Sequence, residues 1–234
     1  MTRQPTSGES TSMRHDLSIV LLHATPVAIA PIHDAFLRDW PVARLTNLLD
    51  DGLTSARGDS KELPDALQTR FVNLARYGYE SGADAVLATC SAFGPAIDAA
   101  DAALPIPVCK PNTAMFADAL AEGRNIAMIA TFAPALPTMV AEFFEEASNM
   151  NPHATLATFV VDDAIDKLRA GDRDTHNRLV AEKAASLHGY DAIMLAHFST
   201  AQALDAVTSV ASCPVFSAPR SAVADLKKRL HLSR

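Results

Sequence analysis

A chain of 234 residues that is 49% hydrophobic, with 20 Lys and Arg against 27 Asp and Glu, carries a formal charge of −7 and enough apolar material for a sizeable core. With no basic cluster beyond Lys227-Lys228-Arg229, the acidic balance argues against nucleic acid as a partner, and no apolar run approaches the length that spans a bilayer. Three cysteines, Cys90, Cys109 and Cys213, are too few and odd in number for a disulfide framework, so a reducing, cytoplasmic compartment is expected.

Residues 1–15 are polar, lack the apolar stretch of a signal peptide and read as a disordered tail. Leu17 to Leu22 is a continuous apolar run of the kind a buried parallel strand gives, ending at His23-Ala-Thr25-Pro26. Pro26 suits a first helical position with Thr25 as its cap, and a helix to about Asp39 follows. A second strand is expected near Ala43 to Leu49. Asp50 to Lys61, with Gly52 and Gly58, reads as a surface loop over the site. Pro64 to Ser81 is helical and Gly82 ends it. The apolar strand from Asp84 stops at Cys90 and turns at once into a helix over Pro95 to Ala103. A short strand at Pro107 to Cys109 and a helix from Pro111 come next. Strands alternating with helices predict a mainly parallel sheet covered on both faces.

The chain then repeats itself. Asp191-Ala-Ile-Met-Leu-Ala-His197 follows the pattern of Asp84-Ala-Val-Leu-Ala-Thr-Cys90 at a constant offset, since 191 − 84 and 197 − 90 are both 107. The same offset sets Ile19 on Ile126, Gly82 on Gly189, Pro107 on Pro214 and Val108 on Val215. Over Asp84 to Leu120 and Asp191 to Lys227 there are nine identities in thirty-seven ungapped pairs, and the order of strand, turn and helix agrees. Asn125 to Ala130, Thr155 to Val161 and Cys213 to Ser217 are therefore strands of a second half, with a helix over Asp174 to Leu187. The expected fold is α/β: two similar halves, 16–115 and 116–234, related by a pseudo-twofold, with the C-terminal segment free to cross over. Each is a mainly parallel sheet flanked by helices, and the active-site cleft lies between them.

Ligands of parallel sheets bind beyond the carboxyl ends of the strands, where the pseudo-twofold makes Cys90 and His197 face one another. A thiol at a helix start sits beside free N–H groups and the positive end of the dipole, which favour thiolate. Converging helix starts offer donors to an anion, so a small carboxylate is the expected ligand. Around the pair, Thr25, Ser91, Ala92, Phe93, Ser199, Thr200 and His23 sit at the same strand ends, and Lys110 offers a cation to the carboxylate. The hydroxyl residues Thr25, Ser91, Thr131 and Ser199 are also good helix caps in their own right. Cys109 and Cys213 occupy non-equivalent repeat positions and read as core. Arg220 stands in the turn equivalent to Lys110-Pro-Asn112. Cys90, His197 and His23 are one combination for zinc, but the usual ligand spacings are missing and no metal is expected. No phosphate loop and no Gly-x-Gly-x-x-Gly follows a strand, so no nucleotide is expected.

The duplicated architecture, the Gly-Ala-Asp-Ala-Val-Leu-Ala-Thr-Cys run ending at Cys90, and Ile129-Ala-Thr131 resemble the aspartate/glutamate racemase superfamily over Leu17 to Leu230. That family includes amino-acid and hydantoin racemases, maleate isomerase and arylmalonate decarboxylase. The resemblance implies a cofactor-independent isomerase in which two opposed groups pass a proton across a carbon, Cys90 taking it, with Thr131 and Ser91 sharing the carboxylate. Where racemases usually carry a second cysteine this chain has His197, and Ser91-Ala92 replaces the common Asn-Thr. The expected protein is a homodimer or higher homo-oligomer in which Cys90 and His197 move the proton. A decarboxylase or other lyase, a cis–trans isomerase, a Cys/His hydrolase and a non-catalytic carboxylate binder are the alternatives.

Overall fold

The computed structural model describes residues 16–58, 63–133 and 136–232. The tail expected over 1–15 lies outside the described residues, as does the end of the loop expected to run to Lys61.

Four parallel strands form the first sheet: β1 (Ser18–His23), β2 (Arg44–Leu49), β3 (Ala85–Ala88) and β4 (Val108–Cys109), in the order β2-β1-β3-β4. The second sheet, of β5 (Asn125–Ala130), β6 (Thr155–Val160), β7 (Ala192–Leu195) and β8 (Val215–Ser217), repeats that order as β6-β5-β7-β8. The register repeats as well. Ile19 pairs with Ala85 and Ile126 with Ala192, Val86 with Val108 and Ile193 with Val215, each pair displaced by 107. Only the outer strand slips: Ser18 pairs with Arg44 but Asn125 with Thr155, an offset of 155 − 44 = 111.

The Asp-Ala repeated at each central strand is structural. Asp84 accepts the Ser18 N–H at 2.8 Å, and Asp191 accepts those of Arg124 and Asn125, both at 2.8 Å. Each carboxylate thus ties the start of β3 or β7 to that of β1 or β5. Gly82 and Gly189 precede them with φ of +90° and +78°, a left-handed turn that a side chain would strain.

The helices of the first half are α1 (Ile29–Asp39), α2 (Gly52–Arg57), α3 (Asp65–Glu80), α4 (Gly94–Ala103) and α5 (Thr113–Glu122). Those of the second are α6 (Leu136–Met150), α7 (Ala164–Arg169), α8 (Arg173–Ala185), α9 (His197–Thr200), α10 (Leu204–Thr208) and α11 (Ala218–Leu232). Two short helices were not read from the sequence. α2 occupies what was expected to be loop, because Leu53 is fully buried and fixes that turn to the core. Its counterpart α7 follows β6. Among the described residues no helix is long and apolar enough to cross a membrane.

The halves interlock. α5 packs on α6, α11 packs on α1, and α5 and α11 pack on each other, so each half's last helix covers the other half's first. One core spans both sheets, joining Leu21, Leu87 and Phe116 to Met128, Phe143 and Met194. Residue 115, the expected end of the first half, falls inside α5, whose Met115 and Phe116 belong to that shared core. Two satellite cores lie on the outer faces, one per half. Cys109 is buried, and burial pushes its thiol up to about 12; Cys213 is only half-buried, packed against the edge of the second satellite core.

Candidate active site

β3 and β7 are buried along their whole length and deliver Cys90 and His197 to the same edge of the fold. The two junctions differ in backbone. Cys90 is extended (φ −135°, ψ 119°) and leads through a 3-10 turn, Ser91–Phe93, into α4. His197 has φ +65°, in the left-handed region, and begins the single turn of α9. For a non-glycine residue that conformation costs on the order of 1–3 kcal/mol and persists only where the surroundings impose it.

Both side chains line one cavity of about 700 Å³ between the halves. Thr25, Ser91, Ala92 and Ser199 line it too, as expected of the strand ends. The Thr25 hydroxyl makes no capping bond to the turn it precedes, and Ser91 and Ser199 stand inside the turns they were expected to cap. Capping therefore does not account for these three hydroxyls.

Burial sets the protonation of the pair. It pushes the Cys90 thiol up, with the nearby Glu142 carboxylate adding to the shift and the Ala92 N–H opposing it. The helix-start donor is present but outweighed, so the expected resting thiolate is replaced by a thiol. Burial likewise pushes His197 down to about 4, leaving a neutral imidazole. Its Nε2 is buried and has no hydrogen-bond partner among the described residues.

Five expected site residues stand off the cavity. His23 is fully buried, its Nδ1 2.8 Å from Thr89 Oγ1 and its Nε2 3.0 Å from Asn47 Oδ1. An amide oxygen only accepts, so the proton sits on Nε2 and Nδ1 accepts from the Thr89 hydroxyl. Burial keeps this imidazole neutral, and it reaches the cavity only through Thr89, which lines it. Phe93 is fully buried and stacks on Phe71 at 5.4 Å. Thr131 and Thr200 are buried and share a 3.2 Å hydrogen bond that fastens the end of β5 to α9. Lys110 pairs with Asp98 at 2.7 Å and opens on a different, acidic pocket. Arg220 is likewise taken, by Asp39 at 2.7 Å. Among the described residues no group of three His, Cys, Asp or Glu side chains is placed to hold a metal ion.

Several lining residues escaped the sequence reading. Asn112, 5% exposed, donates from Nδ2 to Glu142 Oε2 at 3.0 Å, and burial pushes that carboxyl up to about 6. Phe132 was within reach of the repeat, because 132 − 107 = 25 makes it the counterpart of Thr25. Ile165, Leu168 and Arg169 arrive on α7, and Arg173 on the first turn of α8. Nothing in the repeat announces those four, since α2 and α7 occupy equivalent places but do not align residue by residue.

No family model matches the sequence, and no curated protein matches it. Solved structures do match in fold. An allantoin racemase from Klebsiella pneumoniae superposes with a TM-score of 0.72 at 16% identity, covering 93% of this chain and 89% of that one. A glutamate racemase from Bacillus anthracis gives 0.68 at 12% identity, covering 94% and 83%. A variant of arylmalonate decarboxylase in a sulfate-associated form gives 0.67 at 19% identity, covering 92% and 93%. The chain shares the fold of these two racemases and this decarboxylase.

Proposed function

We propose that this protein is a cofactor-independent racemase or isomerase that moves a proton at the carbon next to a carboxylate. The observation that carries this reading is that Cys90 and His197, at equivalent strand ends of a duplicated fold, line one cavity, the imidazole with an unpartnered Nε2. Solved structures with the same fold are named as racemases of glutamate and allantoin and as a decarboxylase of arylmalonate, which supports acid–base chemistry at such a carbon.

In the resting state both partners are neutral, which assigns the first step to the opposite partner from the one the resemblance implies. The substrate C–H bond breaks, its proton passes to the imidazole of His197, and its electron pair spreads into the carboxylate as an enediolate. The thiol of Cys90 then gives its proton to the other face of the carbon. Thiolate and imidazolium remain, and the mirror-image substrate runs the same steps backwards to restore the neutral pair. Hydroxyls of Thr25, Ser91 and Ser199 and the amide of Asn112 are the groups at hand for the carboxylate and for the charge that develops on it. General acid–base partners of this kind contribute about 10²–10⁴-fold each.

A neutral thiol beside an apolar cavity also suits a decarboxylase, in which carbon dioxide leaves and Cys90 protonates the resulting carbanion. The test is incubation in D₂O with single enantiomers of 2-amino, 2-hydroxy and 2-aryl acids, followed by NMR and mass spectrometry. Loss of the α-proton signal with equal conversion of both enantiomers and no loss of carbon dioxide supports the racemase. Exchange of both enantiomers, or racemisation, that survives unchanged in Cys90→Ala refutes the role given to the thiol.

A further inference from the structure

Proton transfer next to a carboxylate engages Cys90, His197 and a few hydroxyls, yet the cavity they line measures about 700 Å³. A void of about 150 Å³ accommodates a whole benzene ring, so the space far exceeds what a short polar acid fills. The surplus wall is apolar and comes mainly from the second half. Phe132 replaces Thr25 at its repeat position, and Phe198 replaces Ser91 (91 + 107 = 198). Ile165 and Leu168 reach the same cavity from α7, a short helix held between Asp163 at φ +61° and Gly171 at φ +83°.

Phe132 is 41% exposed, and Val27 on the rim is 71% exposed. Large apolar side chains left open around a concave site gain by being covered. Of the two guanidinium groups at this end, Arg169 pairs with Asp166 at 3.2 Å and lies 6.0 Å from the centroid of the Phe132 ring. Arg173 is the cation at this end with which a second carboxylate would have to pair.

Building on the proton-transfer reading, we infer that the substrate is a carboxylic acid whose reacting carbon also carries a bulky apolar group, an aryl ring or an alkyl chain, seated against Phe132, Ile165 and Leu168. Specificity then comes from the second half's wall, and a side chain ending in a carboxylate or amide leaves that wall uncovered.

Calorimetric titration of the full chain with acetate, succinate, hexanoate and phenylacetate reads this wall without requiring any reaction. Each buried methylene is worth about fourfold in affinity, so hexanoate and phenylacetate should bind at least about tenfold more tightly than acetate and succinate. Phe132→Ser, at a partly exposed position, and Leu168→Asn should each cut the ratio of phenylacetate to succinate affinity by about threefold or more. Succinate binding as tightly as phenylacetate, or a ratio that neither variant moves, overturns the assignment. Deuterium exchange of 2-phenylpropionate and of aspartate, run in parallel, separates the two ideas. Apolar preference without exchange supports the ligand class and removes the acid–base pair; exchange of aspartate without apolar preference removes the ligand class and leaves the pair.

Discussion

Two short helices hold the same place in the two halves and end up on opposite sides of the division between scaffold and site. α2 follows β2 and sinks into its half: Leu53 is fully buried, and Arg57 Nε reaches the Ala92 carbonyl at 3.4 Å. α7 follows β6 and anchors itself through Ala164, fully buried, while Ile165 and Leu168 face the cavity. The same division runs through the strand ends, where Thr25 and Ser91 oppose Phe132 and Phe198. Duplication preserved what the sheets require, namely strand order, register and the Asp84 and Asp191 ties. It left free whatever lies beyond the strand ends, because no hydrogen-bond ladder constrains it. The large apolar side chains of the cavity, Phe132, Ile165, Leu168 and Phe198, come from the second half, while both halves supply polar groups to it.

Substitutions at the two equivalent strand ends should break this picture most severely. Cys90→Ala and His197→Asn are each expected to slow racemisation by about 10²–10⁴-fold while leaving the circular dichroism spectrum unchanged. Next in size is the contrast between the two helices. Leu53→Ala should cost about 2–5 kcal/mol in a denaturant titration, the range for a leucine removed from a packed core. Leu168→Ala, half-buried at the cavity wall, should cost about 1 kcal/mol or less and appear instead as a raised KM for apolar acids. Equal losses of stability would erase the distinction between scaffold helix and site helix.

Smaller effects follow from the buried titratable groups. Because the folded pKa of His197 lies below its ordinary value, its contribution to stability is fully present above about 6.5 and is lost as the pH falls through about 4. His197→Asn should therefore flatten the acid side of the stability profile in that window. Glu142 has the opposite sign. Its raised value of about 6 means that stability is greatest below its ordinary 4.5 and declines as the pH rises through 6, so Glu142→Gln should remove that decline. The same substitution takes away a negative charge that opposes ionisation of Cys90. Alkylation of the thiol should then begin at lower pH than in the parent, and an unchanged pH profile would show that the carboxylate does not reach the sulfur electrostatically.

The scaffold was largely legible because its signals are local and duplicated. Continuous apolar runs at Leu17 to Leu22 and Asn125 to Ala130, glycines at 82 and 189 and a constant offset of 107 required no knowledge of tertiary contacts. The candidate site was legible where it sits on that scaffold, in that the residues at the ends of β3 and β7 line one cavity. It was misread where side chains choose between the cavity and the layer beneath. Phe93 and Thr200 are repeat-equivalent and closely follow Cys90 and His197, yet both turn inward, one to stack on Phe71 and the other to bond Thr131. Lys110 was lost to Asp98, a partner that only the folded arrangement of α4 reveals. The protonation of Cys90 was misjudged for a similar reason, since desolvation depends on what covers the sulfur and not on the turn that carries it. α7 was missed because six residues between two strands give too short a period to recognise.

The most direct test of the account is hydrogen–deuterium exchange measured separately on the two enantiomers of a substrate acid, in Cys90→Ala and in His197→Asn. If the two groups work on opposite faces of one carbon, Cys90→Ala keeps exchange of the enantiomer whose proton faces His197 and loses it for the other, whereas His197→Asn, left with a thiol that is neutral at rest, exchanges only the other enantiomer and only as the pH is raised until that thiol ionises. Survival of the same enantiomer's exchange in both variants, or of both enantiomers' in either, would contradict a sulfur and an imidazole sharing one carbon between them.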